Sequence, residues 1–317
     1  MTEVPRLSAP GVVPLDPEHD GLPGAICVYL LEDPEPTLVD PGPSTSLPKL
    51  KEALRDVGMD PARIRHILLT HVHLDHAGAA GHLAREIPEL TVHVHQDGAP
   101  HMADPERLVA STRRTFGEAH DRLWGEVLPV PAHQIRGWRT GDSRPLSGIL
   151  PLSTPGHIAH HLAWEVERHG VLLAGDAMGI RLHPHGPSHP ATPPPSVDLA
   201  AWRRTLVETL APVEVDAFGV THFGLHENLH ARRLEILTRL EELALRVHAA
   251  MEEGPSKEEE DAQRFHEETV ATLSTFLPPE RVEQYFQAFS AATDWRGMRF
   301  HLARVPAARP NKSVHEQ

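Results

Sequence analysis

The chain has 317 residues, of which 40% are hydrophobic, and a net charge of −14 with histidine neutral. This length suits one large domain or one domain with an appendage, and the acidic balance opposes nonspecific binding to nucleic acid. The single cysteine, Cys27, excludes an intrachain disulfide and a metal site built from several thiolates. We expect a cytoplasmic protein, because no apolar run reaches the length of a membrane span and the N-terminus has no signal-peptide pattern.

Two strands and a helix are predicted first. Residues 25–31 and 37–40 are apolar runs on either side of a turn of acids and prolines, and residues 46–57 place leucines on one helical face. Asp40 ends the second strand. A carboxylate at that point either hydrogen-bonds a metal-ligating imidazole from outside or simply forms the turn, and the local sequence leaves both open.

The densest group of polar side chains follows the next short aliphatic strand. Within six residues lie His71, His73, Asp75 and His76. In extended backbone, residues two apart point to the same side, so His71 and His73 can meet at one point. Asp75 and His76 lie where a helix over 77–86 begins and can reach a second point nearby. Imidazole and carboxylate suit zinc, iron or manganese, and four such groups are costly to bury together without a cation.

The stretch that follows offers weaker signals. A strand is predicted over 90–95, in which His93 and His95 share a face. They repeat the spacing of the preceding pair, but no acid follows at a matching distance, so a second metal pair is the less favoured interpretation. Residues 98–116, with a helix from 105 to 116, form an insertion too long for an idle connection, and we expect it to border the site.

Five later strands are predicted, over 125–130, 148–154, 161–166, 171–174 and 215–220, the third and fourth as a hairpin. Three of them lead directly into polar residues, namely His157, Asp176 and His222. Each of these would be a weak signal alone. Their shared position at the ends of apolar strands strengthens all three, because binding and catalytic side chains gather in loops at strand ends.

The remaining segments are predicted to frame this site. Residues 183–195 contain six prolines and should form a stiff, irregular loop, either a lip of the pocket or a plain surface connection. Asp198 caps a helix over 199–210. Apolar spacing in the C-terminal part predicts three helices, over about 236–251, 265–276 and 281–292, which either bury one another or serve to cap the site or to dimerise.

These motifs, taken in order, resemble those of the metallo-β-lactamase superfamily. The resemblance covers roughly residues 22–226 and rests on Asp40 after a strand, the His-x-His-x-Asp-His motif of 71–76, His157 in Thr-Pro-Gly-His, Asp176 in Gly-Asp, and His222. It implies an α/β protein with an αββα sandwich and a C-terminal helical extension. The expected division is a catalytic domain over 1–226, a helical region over 227–305 and a flexible tail over 306–317.

The same resemblance implies a site for two divalent metal ions. Zinc is the leading choice, with iron or manganese as alternatives. One ion would be held by His71, His73 and His157. The other would be held by Asp75, His76 and His222, with Asp176 bridging the two. A hydroxide shared by the ions would attack the substrate, Asp75 would orient it and carry a proton, and Asp40 and His161 would support the ligands from outside.

The leading interpretation is a dinuclear metal hydrolase acting on an ester, lactone or thioester of a small molecule, with no nucleic-acid or membrane partner and with a homodimer left open. Few tyrosines and lysines weaken a glutathione-binding, glyoxalase II-like version, since the only tyrosines are Tyr29 and Tyr285. A phosphodiesterase or nuclease stays open because of three arginine pairs, Arg113–Arg114, Arg203–Arg204 and Arg232–Arg233. An iron-dependent oxidoreductase, such as a persulfide dioxygenase or a flavodiiron-type oxygen reductase, is the third alternative.

Overall fold

The computed structural model describes residues 7–139, 141–142, 146 and 148–304, and the predicted tail over 306–317 lies outside them. Within these residues the backbone forms two mixed sheets. The six-stranded sheet follows the order of the chain and contains β1 Val12–Leu15, β2 Val28–Leu31, β3 Thr37–Val39, β4 His66–Leu68, β5 Thr91–His95 and β6 Ile135–Trp138. The five-stranded sheet has the spatial order β11-β10-β9-β8-β7 and contains β7 Ile149–Ser153, β8 Leu162–Val166, β9 Val171–Leu173, β10 Ala217–Val220 and β11 Gly224–His226.

Eleven α-helices flank these sheets or extend from them in the described ranges. They are α1 Leu47–Asp56, α2 Leu74–Ala77, α3 Ala80–Glu86, α4 Ala99–Ala103, α5 Glu106–Phe116, α6 His120–Trp124, α7 Leu199–Arg204, α8 Leu229–Glu253, α9 Pro255–Leu273, α10 Pro279–Ala288 and α11 Ala291–Arg304. Among the helices of the described chain, none combines the length and the apolar character needed to cross a membrane.

Three apolar layers hold the sandwich together. The layer between the sheets joins side chains of both, such as Tyr29 and Trp164. A second layer packs α1 and α3 on the outside of the six-stranded sheet, and a third packs α7, α8 and α11 on the outside of the other. This arrangement confirms the predicted αββα sandwich with a C-terminal helical extension.

Parallel pairing brings the candidate donors to one edge of the sandwich. Strands β3 and β4 are parallel, as are β9 and β10, so within each pair the carboxyl ends lie side by side. Asp40 follows β3 and the 71–76 motif follows β4, while Asp176 and His222 follow β9 and β10. The strand ends therefore deliver residues that are far apart in sequence to a common place.

Some predicted elements are wrong in detail. The strand predicted over 125–130 is irregular, and the edge position of its sheet is taken by β6; prolines at 129 and 131 cannot donate to a ladder. The helix predicted over 77–86 is split into α2 and α3. The third C-terminal helix is likewise two helices, α10 and α11, whereas the division into a catalytic and a helical region at 226 stays a prediction.

Candidate metal centre

The seven predicted metal donors meet at this edge in three overlapping groups. Within each group, the potential ligand atoms all lie within 4.8 Å of one another. The groups are His71, His73 and His157; His71, His76 and Asp176; and Asp75, His76 and His222. The first and third groups are the two ligand sets that the resemblance implied.

Asp176 lies between these two sets. Its Oδ2 atom is 3.5 Å from His157 Nε2, and its Oδ1 atom is 3.6 Å from His76 Nε2. Each carboxylate oxygen therefore faces an imidazole of a different set. This placement suits a carboxylate that bridges two ions, which is the role predicted for it.

Three ring nitrogens converge in the first set. His73 Nδ1 lies 2.9 Å from His71 Nε2 and also 2.9 Å from His157 Nε2. Burial, reinforced by neighbouring imidazoles, holds the pKa of His71 well below its ordinary value and lowers the pKa of His73 to about 3. The rings of His71 and His73 are therefore neutral near pH 7 and carry lone pairs that a divalent ion can accept.

Hydrogen bonds on the far side fix four of the candidate ligand rings. In each of them Nδ1 meets an oxygen, which leaves Nε2 directed at the centre. The contacts are His71 with Thr70 Oγ1 at 3.1 Å, His76 with Asp40 Oδ2 at 2.8 Å, His157 with the Ala191 carbonyl at 2.7 Å, and His222 with the Ala25 carbonyl at 3.0 Å. The orientation that each ring needs as a ligand is thus already set.

Asp40 is the most heavily bonded of these partners. Besides His76, its carboxylate accepts from the Thr70 backbone N–H at 2.8 Å and the hydroxyls of Thr70 at 2.7 Å and Thr221 at 3.0 Å. The residue is buried and adopts φ 49°, a left-handed conformation that is uncommon outside glycine. The structure thus places Asp40 behind the candidate ligand His76, where the sequence predicted a supporting carboxylate.

Opposite charges are concentrated in the second set. Asp75 Oδ2 lies 3.2 Å from His222 Nε2 and 3.5 Å from His76 Nε2. Burial opposes ionisation of Asp75, but the two imidazoles outweigh it and hold the pKa of Asp75 well below its ordinary value. Burial also opposes charge on His76, yet Asp75, Asp176 and Asp40 together raise the pKa of His76 well above its ordinary value.

The donor set fits divalent metal ions. The buried Nε2 of His76 and Oδ1 of Asp176 both lack a hydrogen-bond partner, although each points into the cluster. Buried polar atoms are normally satisfied, so these two need an explanation. Divalent cations among the five imidazoles and two carboxylates would satisfy them and balance the negative charge.

His161 lies directly against this set. Its ring stacks on His71 with 5.0 Å between centroids, and its Nδ1 is 2.8 Å from Thr154 Oγ1. Burial holds the pKa of His161 well below its ordinary value, so the ring is neutral near pH 7. It occupies the supporting position that the resemblance implied, in contact with a candidate ligand.

Comparisons with known proteins identify the family. The sequence profile of the metallo-β-lactamase superfamily matches residues 22–233, about two thirds of the chain. The chain belongs to this superfamily.

Two relatives match about half of this chain at low sequence identity. The chain is 28% identical over 158 residues to the uncharacterised protein YobT of Bacillus subtilis and 29% identical over 172 residues to YqjP, described as a probable metallo-hydrolase of the same organism. Each match covers 49% of this chain, and it spans 62% of YobT and 53% of YqjP. The chain thus matches little more than half of the length of these relatives.

Solved structures support the fold. The superfamily protein TTHA1429 of Thermus thermophilus matches with a TM-score of 0.66 at 24% identity and with 93% of both chains covered. The superfamily protein ST1585 of Sulfolobus tokodaii matches with a TM-score of 0.59 at 21% identity, covering 73% of this chain and 86% of its own. At these identities the likeness concerns architecture alone.

A cavity of about 290 Å³ opens onto these candidate donors. Its floor includes His73, Asp75, His157, Asp176 and His222. Its walls include parts of three segments that the sequence analysis singled out, namely α5 in the insertion, the proline-rich segment at 193–195, and the residues around the start of α11. The prediction that the insertion borders the site is thereby confirmed. Of the two interpretations left open for the proline-rich segment, the lining residues favour a lip of the pocket.

Two histidines that the sequence analysis did not single out lie beside the site. His19 is buried and stacks on Trp124 of the cavity wall with 5.4 Å between ring centroids. Burial lowers its pKa to about 4. His160 lines the cavity itself, and burial together with His101 lowers its pKa to about 4. Neither position carries a spacing signal, since His19 comes from an irregular N-terminal turn and His160 adjoins a residue already assigned.

The less favoured second metal pair is not formed. His93 Nε2 lies 3.1 Å from His66 Nδ1, and His93 Nδ1 accepts a hydrogen bond from Trp138 Nε1 at 3.1 Å. Both ring nitrogens of His93 are therefore engaged. In the described part of the chain, neither His93 nor His95 belongs to a group of three candidate donors.

Proposed function

We propose that the protein is a dinuclear metal-dependent hydrolase that cleaves an ester, lactone or thioester of a small molecule. The observation that carries this proposal is the convergence of seven candidate metal donors beside an open cavity, with Nδ1 of four of the imidazoles already hydrogen-bonded on the far side. Family membership supports hydrolysis in general terms, as does the description of YqjP as a probable metallo-hydrolase. Zinc is the proposed metal, because imidazole and carboxylate are its usual partners in catalytic sites.

In this proposal His71, His73 and His157 hold one ion, Asp75, His76 and His222 hold the other, and Asp176 lies between them. When bound, divalent ions at this site would lower the pKa of a water molecule and polarise the carbonyl of the substrate. The outer hydrogen bonds keep the rings of the histidines in place during turnover.

Asp75 has a second role in the proposal. Its side chain retains 14% of its exposure and lines the cavity, whereas the side chain of its neighbour His76 is fully buried. Of these two groups, Asp75 is the one that substrate can reach. Its carboxylate is therefore placed to accept a proton from the attacking water and to return it to the leaving oxygen or sulfur.

The walls indicate what kind of molecule is bound. Leu108, Phe116, Trp124 and Phe289 give the cavity apolar surfaces next to the donors. Apolar walls favour a substrate with an acyl or aromatic portion and exclude water from the reacting carbonyl. We therefore expect esters or thioesters of medium-length acids to be better substrates than acetyl compounds.

The arginine pairs do not support the phosphodiesterase alternative. Arg113 is paired with Asp121 at 2.7 Å, Arg232 with Glu235 at 2.9 Å, and Arg203 with Glu241. None of the six arginines in these pairs lines the cavity, so they are not in a position to meet a phosphate held over the donors.

The test begins with the metal and the substrate class. Protein made in metal-defined medium should contain two equivalents of zinc. It should hydrolyse p-nitrophenyl esters, lactones or thioesters in a panel of increasing acyl length, and it should leave bis-p-nitrophenyl phosphate intact. Absence of metal uptake, turnover of the phosphodiester alone, or bound iron with oxygen consumption would each contradict the proposal.

The sharpest single variant is Asp75→Ala. We expect kcat on the best ester to fall by about 10²- to 10⁴-fold, because the proton-transfer group and one metal donor are lost together. Circular dichroism and the melting temperature should show a folded protein. Asp56→Ala, which removes an exposed acid near the end of α1, is the matched control and should leave kcat unchanged. Equal kcat for Asp75→Ala and wild type would contradict the assigned role.

A further inference from the structure

The candidate ligand His157 depends on a backbone carbonyl for its orientation. Its Nδ1 donates to the Ala191 carbonyl at 2.7 Å, which turns Nε2 towards His73. Ala191 belongs to the irregular proline-rich segment and not to either sheet. Since no strand or helix fixes this carbonyl, its position must come from contacts that hold the segment.

The carboxylate of Asp294 on α11 contacts the segment on both sides of Ala191. Asp294 Oδ1 accepts from the Thr192 backbone N–H at 2.6 Å, and Asp294 Oδ2 lies 3.2 Å from His189 Nε2. The Thr192 hydroxyl in turn donates to the Asp294 carbonyl at 2.9 Å. Asp294, Thr192 and His189 are all buried, so water competes little for these bonds.

The backbone of the same helix touches the segment one turn later. Gly297 follows Asp294 by three residues and therefore lies on the same face of α11. A Cβ atom on Gly297 would come within 1.7 Å of the Thr192 carbonyl oxygen and within 2.7 Å of the Pro193 carbonyl carbon. Only a residue without a side chain allows this approach, which is a contact independent of the carboxylate.

We propose that Asp294 is a positioning residue for the metal ligand His157, acting through residues 189–192 and the Ala191 carbonyl. The inference rests on the proposed function, in which His157 holds a metal ion. The C-terminal helices, on this view, complete the metal site in addition to walling the cavity. Partners in the outer shell of a metal site typically contribute 10- to 100-fold in affinity, which sets the scale of the expected effect.

The test measures metal affinity and not activity. Full-length protein stripped of metal is titrated with Zn²⁺ in competition with a chromophoric chelator. We expect Asp294→Ala to weaken one of the two zinc equivalents by about 10- to 100-fold. Asp294→Asn keeps the shape and one acceptor oxygen, so it should fold and should weaken the same equivalent by roughly three- to tenfold. Gly297→Ala, which removes no hydrogen bond, should act in the same direction.

Asp261→Asn is the matched control. Asp261 is another buried acid of the helical region, and it binds Trp295 of the same α11 without contacting the segment. It should lower the melting temperature and leave both zinc affinities within twofold of wild type. The inference is overturned if Asp294→Ala and Asp294→Asn bind zinc as wild type does, or if Asp261→Asn weakens zinc as much as they do. A wild-type protein that binds no zinc would instead overturn the proposed function, and the inference with it.

Discussion

The floor of the cavity consists of polar side chains, of which the imidazoles of His157 and His222 are hydrogen-bonded on the far side to backbone carbonyls. The walls, in contrast, are largely apolar surfaces from segments outside the two sheets. Strand ends of the sandwich supply the floor, and α5, the proline-rich segment and the C-terminal helices supply the walls. We infer that the floor carries out the reaction, whereas the walls select the substrate. Changes in the floor should alter metal binding and kcat, and so should changes at Asp294, which holds the segment that orients His157. Changes in the apolar side chains of the walls should alter KM or stability alone.

The largest effect on the metal centre is expected for Asp40→Ala, which changes the carboxylate behind the candidate ligand His76. The variant removes the acceptor of four hydrogen bonds and leaves the buried donors of Thr70, His76 and Thr221 unpaired. We expect the free energy of unfolding to fall by about 3 kcal/mol and zinc affinity to fall by about 10- to 100-fold. Urea unfolding and chelator competition measure the two losses.

Asp40→Asn provides the matched comparison for that variant. The amide preserves the size of the side chain and one acceptor oxygen, so its losses should be smaller than those of alanine in both measurements. If Asp40→Ala bound zinc as tightly as wild type, the idea that the Asp40 carboxylate orients the candidate ligand His76 would be wrong.

A wall substitution should affect substrate binding without affecting chemistry. Phe116 ends α5, lines the cavity and packs against Trp124 with 5.1 Å between ring centroids. For Phe116→Ala we expect KM for the longest accepted acyl ester to rise by about tenfold with kcat nearly unchanged, because apolar contact area is lost equally before and during reaction. Steady-state kinetics across acyl lengths would show it. Phe300→Ala, on α11 and outside the cavity lining, is the control and should leave both constants unchanged. A drop in kcat for Phe116→Ala alone would contradict the idea that the walls affect only substrate binding.

The smallest effect on kcat and KM is expected for a substitution of Asp261, which lies in the C-terminal helices and outside the cavity lining. Asp261 on α9 accepts from Arg246 at 2.8 Å and 2.9 Å, from Arg264 and from Trp295 at 2.9 Å. Burial opposes ionisation, but these donors outweigh it and lower the pKa of Asp261 to about 2. A folded-state pKa below the unfolded value stabilises the protein above about pH 4, and this stabilisation disappears as the pH falls towards 2.

Asp261→Asn should therefore cost about 2 kcal/mol of unfolding free energy at pH 7 and leave kcat and KM intact. Denaturant unfolding of both proteins between pH 7 and pH 2 measures the difference, which should shrink steadily below pH 4. A difference that stayed constant with pH would show that the carboxylate charge is not the cause.

The sequence predicted the floor better than the walls because the floor is encoded locally. His71, His73, Asp75 and His76 lie in one short motif, and each remaining donor directly follows an aliphatic strand. The strand predicted over 125–130 failed because its apolar residues meet the pattern, while Pro129 within it and Pro131 next to it cannot donate to a ladder. The edge strand of the structure, β6, has only four residues, and one of them is glycine. Its alternation of polar and apolar residues is therefore too short to predict a strand.

Contacts between distant segments that carry no motif could not be predicted. The bond between Thr192 and Asp294 joins residues 102 positions apart, and neither residue carries a motif. The stacking of His19 on Trp124 likewise depends on a turn in which Glu18 and Asp20 both adopt positive φ. Positive φ is uncommon outside glycine, so the residue types do not predict this turn. Such contacts follow from packing and not from local pattern.

Cys27 gives the molecule a built-in reporter. It is the only cysteine in the chain, and its side chain lies fully enclosed between the two sheets. A thiol reagent can label Cys27 only when the two sheets separate. The labelling rate therefore measures how often the sandwich opens. Adding zinc should slow that rate if the ions bind the closed form, which allows metal binding to be followed without any knowledge of the substrate.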